Sequence, residues 1–114
     1  MITLYGIPNC DTVKKAQRWL TANHLDFSFH DLRKDGLSER QLREWVSALG
    51  WEALLNKRST SWRALSDEIK TNIDEAAAIR EMLATPTLIK RPVLSHDGSL
   101  LVGFKESDYG TLLP

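Results

Sequence analysis

The spacing of apolar and polar residues predicts a strand, a helix and a second strand at the start of the chain. Residues 2–5 are β-branched, aromatic or leucine and are closed by Gly6 and Pro8, which is typical of a short buried strand. Apolar residues then recur every three or four positions over residues 12–25, which predicts a helix. Residues 27–32 alternate apolar with polar, as in a strand with one buried face. The three elements predict a βαβ unit with parallel strands and a right-handed crossover.

The middle of the chain, from about residue 34 to 84, has a helical pattern. A polar turn at residues 33–36 precedes Ser38 and Gln41, which form a capping box for a helix that ends at Gly50. Residues 51–55 predict one further short turn, and residues 56–61 form a polar loop. We expect Ser61 to cap a short helix that runs through residue 67. An alanine-rich helix is predicted over residues 74–83.

The last part of the chain returns to a strand pattern. Pro86 ends the helical region because proline restricts both itself and the residue before it. Two apolar runs, at residues 93–94 and 100–104, flank a turn at residues 96–99 and predict an antiparallel hairpin. A final helix is predicted over residues 106–113. The order βαβ, helical insert, ββα predicts one α/β domain over residues 1–114 with a mixed four-stranded sheet.

Composition narrows the classes of partner. The chain has 15 Lys and Arg against 15 Asp and Glu, so it has no basic field that would favour nucleic acid. We expect no targeting leader and no membrane span, because the start lacks a basic region followed by an apolar run and no stretch is long and apolar enough. We therefore expect a cytoplasmic, monomeric protein that binds neither nucleic acid nor membrane.

Cys10 is the only cysteine and stands between the first predicted strand and the first predicted helix. One interpretation is a small buried apolar residue, which free cysteines often are. The other is a nucleophile, because the N–H groups at a helix start carry positive potential that favours a thiolate. The polar turn around it, which includes Asn9, favours the nucleophile.

A lone cysteine also limits the chemistry. It allows no internal disulfide, and a resolving thiol three residues later is excluded because that residue is Val13. We expect a mixed disulfide at Cys10 to be resolved by an outside thiol, for which glutathione is the candidate co-substrate. No metal and no tightly bound cofactor are expected, since the three histidines form no pattern of ligands and have no cysteine partners.

Arg58 and Arg91 are the candidate anion-binding residues. A single arginine in a loop is usually a solvated surface side chain, and this is the favoured interpretation of either one taken alone. Arg91 is the stronger candidate because it precedes Pro92 at the start of the hairpin, beside the first strand in the predicted sheet, and the bond between them is a candidate cis peptide. Two guanidinium groups near a thiolate would stabilise it and offer paired donors to a carboxylate or oxyanion.

Three motifs in order resemble the ArsC-like family of thioredoxin-fold proteins. They are GIPNCDTVKKA at residues 6–16, LLNKRSTSWR at residues 54–63 and PTLIKRPVL at residues 86–94. Within this family the chain is most similar to the YffB branch, which stands beside the glutaredoxin-dependent arsenate reductases and the Spx regulators. The resemblance implies a thioredoxin-like fold, βαβ and ββα, with a helical insert between the halves.

The resemblance also implies roles for individual residues. Cys10 matches the nucleophile, Arg58 and Arg91 match arginines that hold an anionic substrate, and Pro92 matches a structural cis-proline. Lys105 stands where the arsenate reductases have a third arginine, and Asn9 adjoins the nucleophile; we count both among the substrate- or glutathione-binding candidates. The reductases also have a histidine four residues before the cysteine, where this chain has Gly6.

Three functions follow as hypotheses. The first is a glutathione-dependent thiol oxidoreductase that acts through Cys10 on glutathione or a small anionic substrate. The second is an arsenate reductase that uses glutathione and glutaredoxin. Gly6 and Lys105 weaken this hypothesis because both depart from the pattern of the arsenate reductases. The third is a transcriptional regulator of the Spx kind that binds RNA polymerase. Val13 weakens this hypothesis because many Spx regulators have a paired Cys-x-x-Cys switch, which this chain lacks.

Overall fold

The computed structural model describes residues 1–113, so the last residue of the predicted 1–114 domain lies outside the described residues. The chain divides into two compact units. The first unit contains residues 1–36 and the chain from residue 91 onward, and the second contains residues 37–90. The second unit begins and ends a few residues later than the insert predicted at 34–84. Within residues 1–113, no helix is both long and apolar enough to cross a bilayer.

The first unit is built on a four-stranded mixed sheet. Its strands are β1 (Ile2–Gly6), β2 (Phe27–Asp31), β3 (Val93–His96) and β4 (Ser99–Val102). The spatial order is β2-β1-β3-β4, with β1 parallel to β2 and antiparallel to β3, and β3 antiparallel to β4. This confirms the predicted α/β class, the βαβ and ββα halves and the mixed sheet.

Helix α1 (Asp11–Ala22) connects the two parallel strands and buries its apolar face. Val13, Ala16 and Leu20 are fully buried and share a core with residues of β1 and β3. The helix ends three residues earlier than predicted. Asn23 ends it because its side-chain amide donates to the Trp19 carbonyl at 2.9 Å, and the following backbone leaves the helical conformation.

The end of the first unit is shorter and tighter than predicted. The helix over residues 106–113 is only α7 (Glu106–Tyr109), which continues as a 3₁₀ turn over Gly110–Leu112. The Thr111 hydroxyl donates to the Asp108 carbonyl at 2.7 Å, a side-chain bond of the kind that competes with a continued helix. Tyr109 is fully buried beside the sheet and joins its core.

The second unit is helical. It contains α2 (Glu39–Leu49), α3 (Trp51–Leu54), α4 (Thr60–Arg63), α5 (Asp67–Thr71), α6 (Glu75–Ala84) and a 3₁₀ turn over Pro86–Leu88. Ser38 caps α2 by accepting from the Gln41 N–H at 3.1 Å, as predicted. The helix expected from Ser61 through residue 67 is wrong, because Ser59 caps α4 and Ser66 caps a separate helix α5.

Candidate functional site

Cys10 begins α1 immediately after the turn that follows β1. Its N–H donates to the Ile7 carbonyl at 3.2 Å, and its carbonyl accepts the first helical hydrogen bond, from the Lys14 N–H at 3.0 Å. Its backbone is extended (φ −94°, ψ 125°), which is the conformation of a residue that caps a helix. The βαβ unit thus delivers the thiol to the start of a helix at the carboxyl end of a strand.

The cap of α1 differs from those of four other helices. Helices α2, α4, α5 and α6 each begin with a serine or aspartate oxygen that accepts a first-turn N–H. The 12-residue α1 has Cys10 in this position, and no side-chain hydrogen bond caps it. No side chain therefore accepts the first-turn N–H groups of α1, which cannot bond within the helix. Unpaired N–H groups at a helix start favour negative charge on a group that approaches them.

The surroundings of Cys10 combine apolar packing with access from solvent. The side chain is half-buried, forms no disulfide among the described residues, and packs against the core of the first unit. Asn9 beside it is exposed, as are Lys14 and Lys15 on the first turns of the helix. The thiol is therefore held by the fold on one side and reachable on the other.

Gly6 lets the end of β1 approach α1 closely. A β-carbon built at Gly6 would lie 2.7 Å from Cγ2 of Val13, closer than real contacts allow. Val13 is fully buried, so it cannot turn outward to make room. Val13 stands where a resolving cysteine would be expected. It is thus the residue that packs on Gly6, just before the turn that leads to Cys10.

Arg91 and Pro92 lie at the end of the sheet where β1 ends. Tyr5 of β1 is paired with Val93 of β3, so the residues just before Val93 lie next to those just after Tyr5. The peptide bond between Arg91 and Pro92 is cis, as expected from the sequence. Pro92 is buried, and its carbonyl accepts the Gly103 N–H at 2.8 Å.

Lys105 follows β4 at the same end of the sheet. Val102, the last residue of β4, is paired with Val93, and two residues separate it from Lys105. Lys105 is exposed, whereas Arg91 is half-buried. Among residues 1–113, the buried Nε of Arg91 has no hydrogen-bond partner. Strand register therefore brings the segments of Cys10, Arg91 and Lys105 to one end of the sheet.

Arg58 belongs to the second unit, in a loop with extensive internal hydrogen bonding. Its N–H donates to Oδ1 of Asn56 at 3.0 Å, and the Ser59 hydroxyl donates to the Asn56 carbonyl at 2.7 Å. The Asn56 N–H donates to the Leu88 carbonyl at 2.8 Å. Arg58 is exposed and lines a cavity of about 480 Å³ together with two other cations, Lys57 and Lys90. This loop is rigidly built, which suits a binding role.

Tyr109 is the ionisable group whose pKa is shifted most clearly by its surroundings. Burial, and secondarily the Asp108 carboxylate, raise the pKa of Tyr109 above its ordinary value. Its buried hydroxyl has no hydrogen-bond partner among the described residues. No cluster of three or more His, Cys, Asp or Glu side chains suited to a metal ion occurs within residues 1–113.

Solved structures similar to this fold include two with high sequence identity. The YFFB protein has 44% identity and a TM-score of 0.95, with 100% of both chains covered. An arsenate reductase (ArsC) related protein from Brucella melitensis has 45% identity and a TM-score of 0.80, with 96% of this chain and 92% of that chain covered. Both match almost the whole chain, across the sheet and the helical insert.

Sequence comparisons point to the same group of proteins. The global transcriptional regulator Spx 2 of Lactococcus lactis is 29% identical over 116 residues, which covers 100% of this chain and 87% of the relative. The family model described as the ArsC family matches residues 5–112. The chain belongs to the ArsC family.

Proposed function

We propose that this protein is a glutathione-dependent thiol oxidoreductase in which Cys10 is the nucleophile. The observation that carries the proposal is the position of Cys10 at the start of α1, where no side-chain oxygen takes the first-turn N–H groups. Membership of the ArsC family and likeness to an arsenate reductase related protein support a reductase that acts through a thiol. The choice of substrate and the role of glutathione as the resolving thiol are part of this proposal.

The reaction follows from having one cysteine. The Cys10 thiolate attacks one sulfur of a disulfide, a bond forms between the two sulfurs, and the other half leaves as a thiolate. The chain has no second cysteine to attack the mixed disulfide. A glutathione thiolate therefore attacks it, forms a disulfide with the bound half, and releases the Cys10 thiolate. One half of the substrate has then left as a thiolate, and the other half is held in a mixed disulfide with glutathione. A second glutathione thiolate attacks that disulfide, releases the other half as a thiolate and forms oxidised glutathione, which completes the two-electron reduction.

We assign Arg91 and Lys105 to binding the carboxylates of glutathione or of a small anionic substrate. Both belong to segments at the end of the sheet where β1 leads to Cys10. Arg91 is half-buried, and a charge-assisted hydrogen bond from its guanidinium to a carboxylate is stronger there than in open water. Asn9 and Arg58 are proposed as further contacts, and each requires its own alanine variant as a test.

Turnover with a small disulfide tests this function. We expect the protein to reduce bis-(2-hydroxyethyl) disulfide with glutathione, and the rate to vanish in Cys10→Ser. Arg33→Ala, which removes an exposed arginine from the turn after β2, is the matched control for Arg91→Ala and should keep the wild-type rate. Equal rates for the wild type and Cys10→Ser would show that Cys10 does not carry the activity.

Arsenate reduction is a second candidate because of the similarity to the Brucella melitensis protein. It predicts glutathione oxidation that depends on arsenate, on glutaredoxin and on Cys10. Gly6 opposes it, since this position has no space for the histidine found in the arsenate reductases. Dependence of the rate on arsenate, measured beside the small disulfide, decides between the two substrates.

A regulatory role is the candidate that the Spx similarity favours. It predicts that the protein binds RNA polymerase, with little change in Cys10→Ser. Pull-down of purified polymerase with the wild type and the variant tests this role. Binding that survives the substitution, in a protein without thiol turnover, would favour the regulator over the oxidoreductase.

A further inference from the structure

A cavity of about 360 Å³ lies between α1 and the segment that joins β4 to α7. We call it the aromatic cavity; it is lined by Lys15, Arg18, Trp19, Ala22, Phe104 and Glu106. Its four residues from α1 have the spacing i, i+3, i+4 and i+7, so they form one stripe along the helix. This stripe is separate from the buried stripe of Val13, Ala16 and Leu20, which packs on the sheet.

The aromatic walls of this cavity are held by Tyr109. The Tyr109 ring meets Trp19 edge to face, with centroids 5.6 Å apart, and meets Phe104 in the same way at 4.8 Å. Tyr109 itself is fully buried. Trp19 and Phe104 are only half-buried, although both pack against the core. The fold therefore holds two aromatic side chains in place and leaves part of each accessible from the cavity.

The rim of the cavity carries unpaired positive charge. Lys15 and Arg18 are exposed, and neither forms an ion pair with any of the described residues. In the second unit, by contrast, Arg40 and Arg43 are paired with glutamates one turn away. Glu106 offsets one of the two cations on the rim, which leaves a net positive charge around an apolar interior.

We propose that the aromatic cavity docks an acidic segment of a partner protein. The segment inserts one aromatic side chain between Trp19 and Phe104 and places carboxylates against Lys15 and Arg18. The cavity volume suits one aromatic side chain, and the charges select acidic over basic flanking residues. This docking does not depend on chemistry at Cys10.

A peptide without any thiol tests the docking directly. The probe is an acetylated, amidated peptide with one phenylalanine between two pairs of glutamates, added to the full-length protein. The readout is the NMR shift of the Trp19 indole N–H, which we expect to move and saturate. A peptide with alanine in place of phenylalanine should bind at least tenfold more weakly, because it buries much less apolar surface. Raised salt should also weaken binding.

Substitutions of the cations on the rim distinguish binding at this cavity from nonspecific electrostatic attraction to the protein surface. Lys15→Gln and Arg18→Gln should each weaken binding about two- to fivefold, as expected for exposed charge pairs. Arg33→Gln makes the same charge change at an exposed position away from the cavity and should leave binding unchanged. The proposal is overturned by an absent Trp19 shift at millimolar peptide, by unchanged binding in the Lys15→Gln, Arg18→Gln double variant, or by equal binding of a peptide with lysines for glutamates.

Discussion

Gly6 and Val13 pack so closely that no β-carbon fits between them. A β-carbon at Gly6 would lie 2.7 Å from Cγ2 of Val13, and Val13 is fully buried in the core of the first unit. Gly6 ends β1 and Val13 lies in the first turn of α1, so this contact holds the strand and the helix together on both sides of Cys10. The position of the thiol therefore depends on a contact between two residues that have no reactive side-chain group.

Gly6→Ala should destabilise the fold by about 1–3 kcal/mol, the usual range for overpacking a well-packed core. The cause is steric, because the added methyl group meets a Val13 side chain that cannot move out of the core. The free energy of unfolding in urea measures the effect. A change below about 0.5 kcal/mol would mean that the two elements separate easily.

The double variant Gly6→Ala, Val13→Ala identifies the contact responsible. Val13→Ala alone should cost stability because it leaves a cavity in the core. In its background, however, Gly6→Ala should cost much less than in the wild type, because the colliding methyl group is gone. Costs that simply add would contradict the assignment to Val13.

Cys10→Ser should stabilise the protein relative to Cys10→Ala by about 0.5–1 kcal/mol. A serine hydroxyl can accept a first-turn N–H of α1, as serine does in α2, whereas cysteine makes no such bond here and alanine cannot. Thermal or urea unfolding of the three proteins measures the difference. Equal stability of the serine and alanine variants would show that the N–H groups of α1 are not available at this position.

Much of the fold follows from local patterns in the sequence. The strand around Leu4, the helix cap at Ser38 and the hairpin turn at Gly98 each carry a signal within a few residues, and each prediction is confirmed. The short helices were less predictable. Ser59, Ser61 and Ser66 all have the chemistry of a cap, and only the backbone path decides which of them begin helices.

Features that lie within one segment of the chain were predictable from the sequence, whereas contacts between distant segments were not. The place of Cys10 at a helix start was predictable from local features, because the strand, the turn and the helix are adjacent in sequence. The approach of Val13 to Gly6 has no sequence signal, since packing in space decides which buried residue meets a glycine. The stripe of Lys15, Arg18 and Trp19 was not predicted as a site, because the opposite wall of its cavity comes from Phe104, far along the chain.

Arg91→Ala should slow the reaction of Cys10 with oxidised glutathione about tenfold, because the proposal assigns the Arg91 guanidinium to a carboxylate of glutathione. Lys105→Ala should slow it less, about two- to threefold, because Lys105 is exposed and its interactions are screened by water. The rate of mixed-disulfide formation under pseudo-first-order conditions measures both effects. A wild-type rate in Arg91→Ala, equal to that of the control Arg33→Ala, would remove Arg91 from the site.

Tyr109→Phe should leave the protein equally stable or more stable at pH 7. The hydroxyl is buried without a partner among the described residues, so its removal loses no hydrogen bond. Because the pKa of Tyr109 is raised on folding, the unfolded chain loses this proton first as pH rises. The difference in stability between the two proteins is therefore constant below about pH 10, and the wild type loses stability relative to the variant above it.

The wild type should therefore lose stability relative to Tyr109→Phe above pH 10, by about 1 kcal/mol at pH 11. Urea unfolding of both proteins at pH 7, 9, 10 and 11 measures this difference. Other groups that titrate in this range, such as the lysines, are common to both proteins and cancel in the comparison. Parallel stability curves up to pH 11 would contradict the burial of the Tyr109 hydroxyl.

The intact mass of the protein after incubation with oxidised glutathione tests directly whether Cys10 is a nucleophile that glutathione resolves. We expect an adduct of one glutathione on the wild type, none on Cys10→Ser, and loss of the adduct when reduced glutathione is added. A wild-type protein that forms no adduct, or an adduct that reduced glutathione cannot remove, would contradict a glutathione-resolved nucleophile at Cys10.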